Sequence, residues 1–184
     1  MANVPNNIKD LLKAEEGFRS EVYLDEKGFS VGYGHKLSED ELKRYPPGTS
    51  VPQSQLDSWL EEDLESSYTA AQTQANSLSR FHELDATQRA KFLERLTSVN
   101  FQLGTSWHKD HDKTWALMQA GDFEGASVEV LDSKWFKEQT PGRAKELSDF
   151  LASLGSATGQ VYGETVPGDE SPDVGPLIAK VRGK

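Results

Sequence analysis

Cysteine is missing from the 184 residues, which excludes a disulfide scaffold, a thiolate zinc site and a cysteine nucleophile. Missing too is any apolar run near the roughly 20 residues that a membrane span needs. The opening stretch MANVPNNIKD holds neither a basic region nor an apolar segment, so no secretory signal is expected and the chain reads as one made in a cytoplasm. Basic charge is scarce: 20 Lys and Arg stand against 30 Asp and Glu, a formal net charge of -10. That balance excludes the basic footprint of a nucleic-acid binder. It also sets up weak, salt-dependent repulsion from any polyanionic substrate. Enough remains for a folded domain, with 35% hydrophobic residues and four tryptophans in a chain long enough to bury a real core.

Pro5 followed by Asn6 and Asn7 predicts a helix start with an asparagine cap. Ile8, Leu11 and Leu12 recur at helical spacing, and Gly17 stops the helix. Over residues 21 to 33 the period shifts toward two. Val22-Tyr23-Leu24 and Phe29-Ser30-Val31 read as short strands around the turn Asp25-Glu26-Lys27-Gly28. Gly32 and Gly34 flank Tyr33, where backbone bends or approaches closely. Tyr45-Pro46-Pro47-Gly48-Thr49 is a loop. After Pro52, Leu56, Trp59, Leu60 and Leu64 predict one long helix. Helical spacing continues to about Leu154, with breaks near Leu84-Asp85, Gly104-Thr105, Gly121-Asp122 and residues 139–142. The plan is α+β: a helix, a small β lobe, a connecting helix and a helical lobe, with residues 1–154 as one domain. Residues 155–184 turn rich in glycine, proline and acid, with an apolar pair at Leu177-Ile178. They read as a tail, expected to serve as a docking segment.

Glu15 and Glu16 close the first helix, where a carboxylate faces the negative end of the macrodipole at a cost of about 0.3–1 kcal/mol. At about 100° per residue, Glu15 falls inside the apolar stripe and Glu16 at its edge. Both glutamates turning to solvent is one reading. The other is a glutamate partly withdrawn from water, its pKa raised so that it donates a proton near neutrality. Periodicity does not choose between the two residues. Asp25 has an ordinary use in bonding its own turn, and Ser30 on a half-exposed strand needs no special role. An acid, a carboxylate and a hydroxyl converging beside a small sheet are nonetheless the parts of glycoside hydrolysis. The stretch HKDHD at 108–112 has His-x-x-His spacing but lacks further zinc ligands, so a solvated loop is expected there.

Glu16-Gly17, Tyr23, Asp25, Gly28 and Val31-Gly32-Tyr33-Gly34-His35 resemble the phage-type lysozymes, the T-even phage lysozyme family of muramidases. Asn100-Phe101-Gln102-Leu103-Gly104 is similar to that family's core helix with its substrate-facing glutamine. Ser133-Lys134-Trp135-Phe136 and Gln139-Thr140-Pro141-Gly142-Arg143-Ala144-Lys145 resemble its tryptophan segment and following helix start. Order and spacing are kept over residues 6 to 154. The resemblance implies a lysozyme-like α+β fold, mainly helical, with a β-hairpin lobe joined by a long connecting helix. It implies Glu16, and not Glu15, as general acid, Asp25 as the carboxylate positioning the attacking water, and Ser30 as a second contact for that water. Arg143 would pair with Glu16, opposing the rise in its pKa. Gln102, Trp135 and Thr140 would contact substrate, with Gln102 and Trp135 lining the cleft. His35 would be structural, paired with Asp63. No metal or cofactor is implied.

Two departures stand out. Four residues separate Asp25 from Ser30, one fewer than in the family's pattern, which has a threonine there; serine keeps the hydroxyl but loses the methyl that restricts χ1. One extra residue, Glu138, precedes Gln139. Neither removes a required group, so hydrolysis of bacterial peptidoglycan at the MurNAc–GlcNAc β-1,4 bond, with inversion, is expected. The expected use is a monomeric phage endolysin, leaving the host cytoplasm for the wall with help from another protein. The alternatives are a virion-associated lysozyme docked through 155–184, or a wall-binding or structural component that has lost catalysis. The intact Glu16, Asp25 and Arg143 set speaks against lost catalysis.

Overall fold

The computed structural model describes residues 3–25 and 28–158. The hairpin tip at 26–27 and the tail from 159, with Leu177 and Ile178, lie outside the described residues, and so does the docking expectation attached to that tail. Helix α1 (Asn6–Glu16) leads into strands β1 (Arg19–Asp25), β2 (Gly28–Gly32) and β3 (His35–Lys36). Helices α2 (Glu39–Arg44) and α3 (Gln53–Asn76) follow, then a 3-10 turn at Ser79–Glu83 and α4 (Ala86–Leu103). The chain closes with α5 (Trp107–Asp110), α6 (Asp112–Ala120), α7 (Phe123–Asp132), a π-helical turn at Trp135–Gln139 and α8 (Pro141–Thr158). Among the described residues, no helix is long and apolar enough to cross a membrane.

The sheet is antiparallel in the order β1-β2-β3, with Tyr23 opposite Ser30 and Val31 opposite His35. The loop before α3 covers the free side of β1 through Val22 N–H to Thr49 O (3.0 Å) and Val51 N–H to Ser20 O (2.9 Å). Exposed strand edges invite pairing with other chains, and this contact closes one.

Helix α3 organises the core. Its 24 residues make a rod of about 36 Å, and three apolar clusters string along it. Leu56 and Trp59 join Val22, Val31 and Val51 under the sheet. Leu60, Leu64 and Tyr68 hold Ile8 and Leu12 of α1. Ala71 and Ala75 enter the helical lobe, packed around Phe92, Trp107, Phe123 and Trp135. One helix therefore fixes the β lobe against the helical lobe.

Two local expectations are corrected. Asn6 is the first helical residue; Pro5 takes the cap position of α1, and no side chain caps it. Proline has no N–H and its fixed φ suits a helix entry, so the asparagine signal is not used. Second, 108–112 is not a loop but the end of α5, a bend at His111 and the start of α6. Lys109, Asp110 and Asp112 are exposed as expected, while the His108 and His111 rings pack 5.4 Å from Trp115 and 6.2 Å from Trp107. Burial lowers the His111 pKa, with Asp110 opposing. Glu138, noted in the sequence as an added residue, lies in the π-helical turn, where Thr140 N–H bonds Trp135 O at 3.1 Å, five residues back. Such a turn takes one added residue without shifting the helix that follows.

Candidate active site

The sheet and the two lobes enclose a cleft of about 720 Å³, lined by Glu16, Tyr23, Asp25, His35, Asp63 and Gln102 among others. Alternation along β1 puts Tyr23 and Asp25 on one face, and the register sets Ser30 directly opposite Tyr23. Ser30, 1% exposed, donates its hydroxyl proton to Asp25 Oδ2. The Tyr23 phenol reports the space these groups share. Burial raises its pKa, Asp25 and Glu16 add to the rise, and Arg19 opposes it from over the ring at 4.5 Å.

Across the cleft, α1 ends at Glu16 and Gly17 turns the chain away with φ 67°. Arg143, the third residue of α8, donates from Nη1 to Glu16 Oε1 at 2.7 Å. Its Nε stands 3.1 Å from Glu15 Oε2, which also accepts from Ser98 Oγ on α4 at 2.8 Å. Glu16 Oε2 faces the opposite way, 3.8 Å from where a Cβ on Gly34 would stand. Gly34, at φ 90°, is a position that favours glycine in any case.

His35 lies on the cleft wall with Nδ1 2.8 Å from Asp63 Oδ2. Its ring stacks on Trp59, centroids 4.4 Å apart and planes 9° apart. Nε2 stands 3.5 Å from Glu41 Oε1; the oxygen takes no hydrogen bond from it, so this contact is a loose ion pair. Burial works against the charged ring, yet Asp63 and then Glu41 outweigh it and the His35 pKa ends above the usual 6.5.

Gln102, Trp135 and Thr140 meet at one hydroxyl. Trp135 Nε1–H donates to Thr140 Oγ1 at 2.6 Å, and Gln102 Nε2 donates to the same oxygen. Of the three, only Gln102 lines the cleft. Trp135, 2% exposed, belongs to the core of the helical lobe, because its indole needs both apolar burial and one acceptor. The expectation that Trp135 lines the cleft is corrected on that ground: it reaches the site through Thr140 and Gln102.

Sequence reasoning missed two supports. Glu15 is an anchored ion-pair partner and not a solvent-facing acid. Asn100, 2% exposed, exchanges two 2.9 Å hydrogen bonds with Gln74, and Gln74 also bonds Trp107 Nε1 (3.3 Å) and Thr105 O (3.1 Å). This buried network ties α4 to α3 just beside Gln102. Its only sequence signal is that Asn100 opens the Asn-Phe-Gln-Leu-Gly segment.

A mainly helical α+β molecule with a small antiparallel sheet and a carboxylate-lined cleft between lobes has a lysozyme-like fold. A sequence model of the phage lysozyme family matches residues 13–148. The chain belongs to the phage lysozyme family. It is 31% identical over 139 residues to peptidoglycan hydrolase gp36 of Pseudomonas phage phiKMV, covering 76% of this chain and 14% of that protein. It is 24% identical over 163 residues to probable T4-type lysozyme 2 of Dictyostelium discoideum, covering 77% of this chain and 91% of that protein. With peptidoglycan hydrolase gp36 of Enterobacteria phage SP6 it shares 29% identity over 124 residues, 60% of this chain and 12% of that protein. The chain thus spans a small part of the two phage relatives' length.

Proposed function

We propose that this chain is a muramidase that hydrolyses the MurNAc–GlcNAc β-1,4 bond of bacterial peptidoglycan with inversion. The observation that carries the reading is Glu16 and Asp25 lining one cleft, the first held by Arg143 and the second by Ser30. Glu16 gives a proton to the leaving glycosidic oxygen as the C1–O bond breaks. A water on the other face attacks C1 and passes its proton to Asp25. Ser30, buried behind Asp25 and not part of the cleft lining, acts by donating to that carboxylate and fixing its orientation, in place of the expected direct contact with the water. Gln102, set by Thr140 and Trp135, binds sugar, and the His35–Asp63 pair holds the β lobe to α3. Purified protein should clear outer-membrane-permeabilised cells and release new MurNAc reducing ends. Glu16→Gln should lower this rate by about 100-fold or more while melting at the wild-type temperature. Wild-type protein that binds walls and releases no ends would instead establish a wall-binding module.

The proposed use is a monomeric endolysin that reaches the wall from the host cytoplasm with another protein's help. A virion-associated lysozyme is the second reading, favoured by the net charge of -10 and by the matched segment being 14% and 12% of two phage proteins. In that reading the part of 155–184 beyond α8, which runs to Thr158, docks on a virion protein, and removing residues 159–184 abolishes particle association.

A further inference from the structure

Glu15 is a little-exposed carboxylate beside the site, and the proposed chemistry gives it no task. Its side chain is 14% exposed, against 12% for Arg143 and 19% for Glu16. Oε2 is held by Arg143 Nε and Ser98 Oγ, while Oε1 is buried with no hydrogen bond. An idle buried carboxylate oxygen carries a desolvation cost that an apolar side chain avoids. A residue serving packing alone would therefore do better without the charge. What the charge does is visible on Arg143. Guanidinium groups prefer to grip a single carboxylate with two parallel N–H bonds. Here the guanidinium is shared: Nη1 donates to Glu16 Oε1, while Nε stands 3.1 Å from Glu15 Oε2 as an ion-pair contact. This sharing leaves Glu16 Oε2 on the Gly34 side, facing the cleft that both residues line.

We propose that Glu15 is a positioning residue: itself held by Ser98 of α4, its charge draws the Nε side of Arg143 toward it, keeps the guanidinium monodentate on Glu16 and leaves Oε2 as the oxygen that delivers the proton. The inference rests on Glu16 being the general acid. Without the Glu15 charge, Arg143 closes onto both oxygens of Glu16 and draws Oε2 out of the cleft.

The test compares Glu15→Gln, Arg143→Met and the double variant on soluble glycan strands. Glu15→Gln should lower kcat about tenfold, a misplacement effect, with KM within about twofold of wild type. In the Arg143→Met background the same change should cost nothing further, because there is no guanidinium left to share. An equal loss in both backgrounds would overturn the proposal, since Glu15 would then act without Arg143. Ser98→Ala, which frees Glu15 with its charge intact, should lower kcat about threefold and keeps the test open if Glu15→Gln does not fold; an unchanged kcat would again overturn it. Glu16→Gln run in parallel separates the failures. Full activity there sinks the assignment of the acid, whereas an inactive Glu16→Gln beside a fully active Glu15→Gln sinks only the role of Glu15.

Discussion

Arg143 sits in the first turn of α8, 2.7 Å from Glu16 and 3.1 Å from Glu15 in the last turn of α1. Each charge opposes its own helix dipole, a cation at an N-terminus and two anions at a C-terminus. Brought together, they offset one another, which explains why acids close α1. His35 shows a second residue-scale balance. Its folded pKa is raised, so the native state holds the proton more tightly than the unfolded chain. The resulting stability is fully present below the ordinary value near 6.5 and is lost as pH rises through the higher folded value. His35→Asn should therefore cost roughly 1–3 kcal/mol near pH 6, about 3–10 °C in Tm, discounted because Asp63 is partly exposed. The difference should shrink toward pH 9 in thermal melts. An unchanged melt with lost activity would make His35 catalytic instead. The His35–Asp63 pair followed from the family resemblance together with helix register. The Glu15 contacts did not, because the partner lies 128 positions along the chain from Glu15.

Among the elements, the β1–β2 hairpin and α3 were legible, since alternation and helical spacing are strong over their length. Strand β3 has two residues, too few to show a period, and α2 has no buried residue to mark its face. The capping box Ser38/Glu41 that starts α2 went unread in the sequence. Where the hairpin meets α3, Gly32 takes φ 66°, and an added Cβ would stand 3.2 Å from Leu56 Cδ2. Gly32→Ala should thus destabilise the protein by about 1–2 kcal/mol from backbone strain alone. If crowding on Leu56, a buried core residue, adds to the strain, Gly32→Ala should lower the melt less in a Leu56→Ala background than in wild type; a Gly32→Ala melt at the wild-type temperature would show that the turn adapts. The π-helical turn at Trp135–Gln139 could not be foreseen from spacing. An added residue shows in a sequence, but whether it bulges within a helix or loops out depends on the bond that Thr140 makes.

At the scale of the whole molecule, α3 threads all three apolar clusters, so strain in either lobe is transmitted to the cleft between them. Charge acts at the same scale. On the proposed function, a protein of net charge -10 meets an anionic wall against repulsion. Raising salt from about 0.01 M to about 0.15 M shortens the screening length from about 30 to about 8 Å. Clearing of permeabilised cells should speed up over that range. A steady fall with salt would point to a local cationic wall-binding face that overrides the net charge.

The central claim, that Glu16 acts as acid while Asp25 directs water from the opposite face, is tested most directly by the anomeric form of the first product. Proton NMR of soluble glycan strands, read in the first minutes before mutarotation, identifies the configuration at the new MurNAc reducing end. Single displacement by water at a β-linked C1 yields the α anomer. A β product would contradict it, requiring two successive displacements at C1, through either a covalent adduct on Asp25 or the sugar's own acetamido group, in place of direct attack by a water that Asp25 holds.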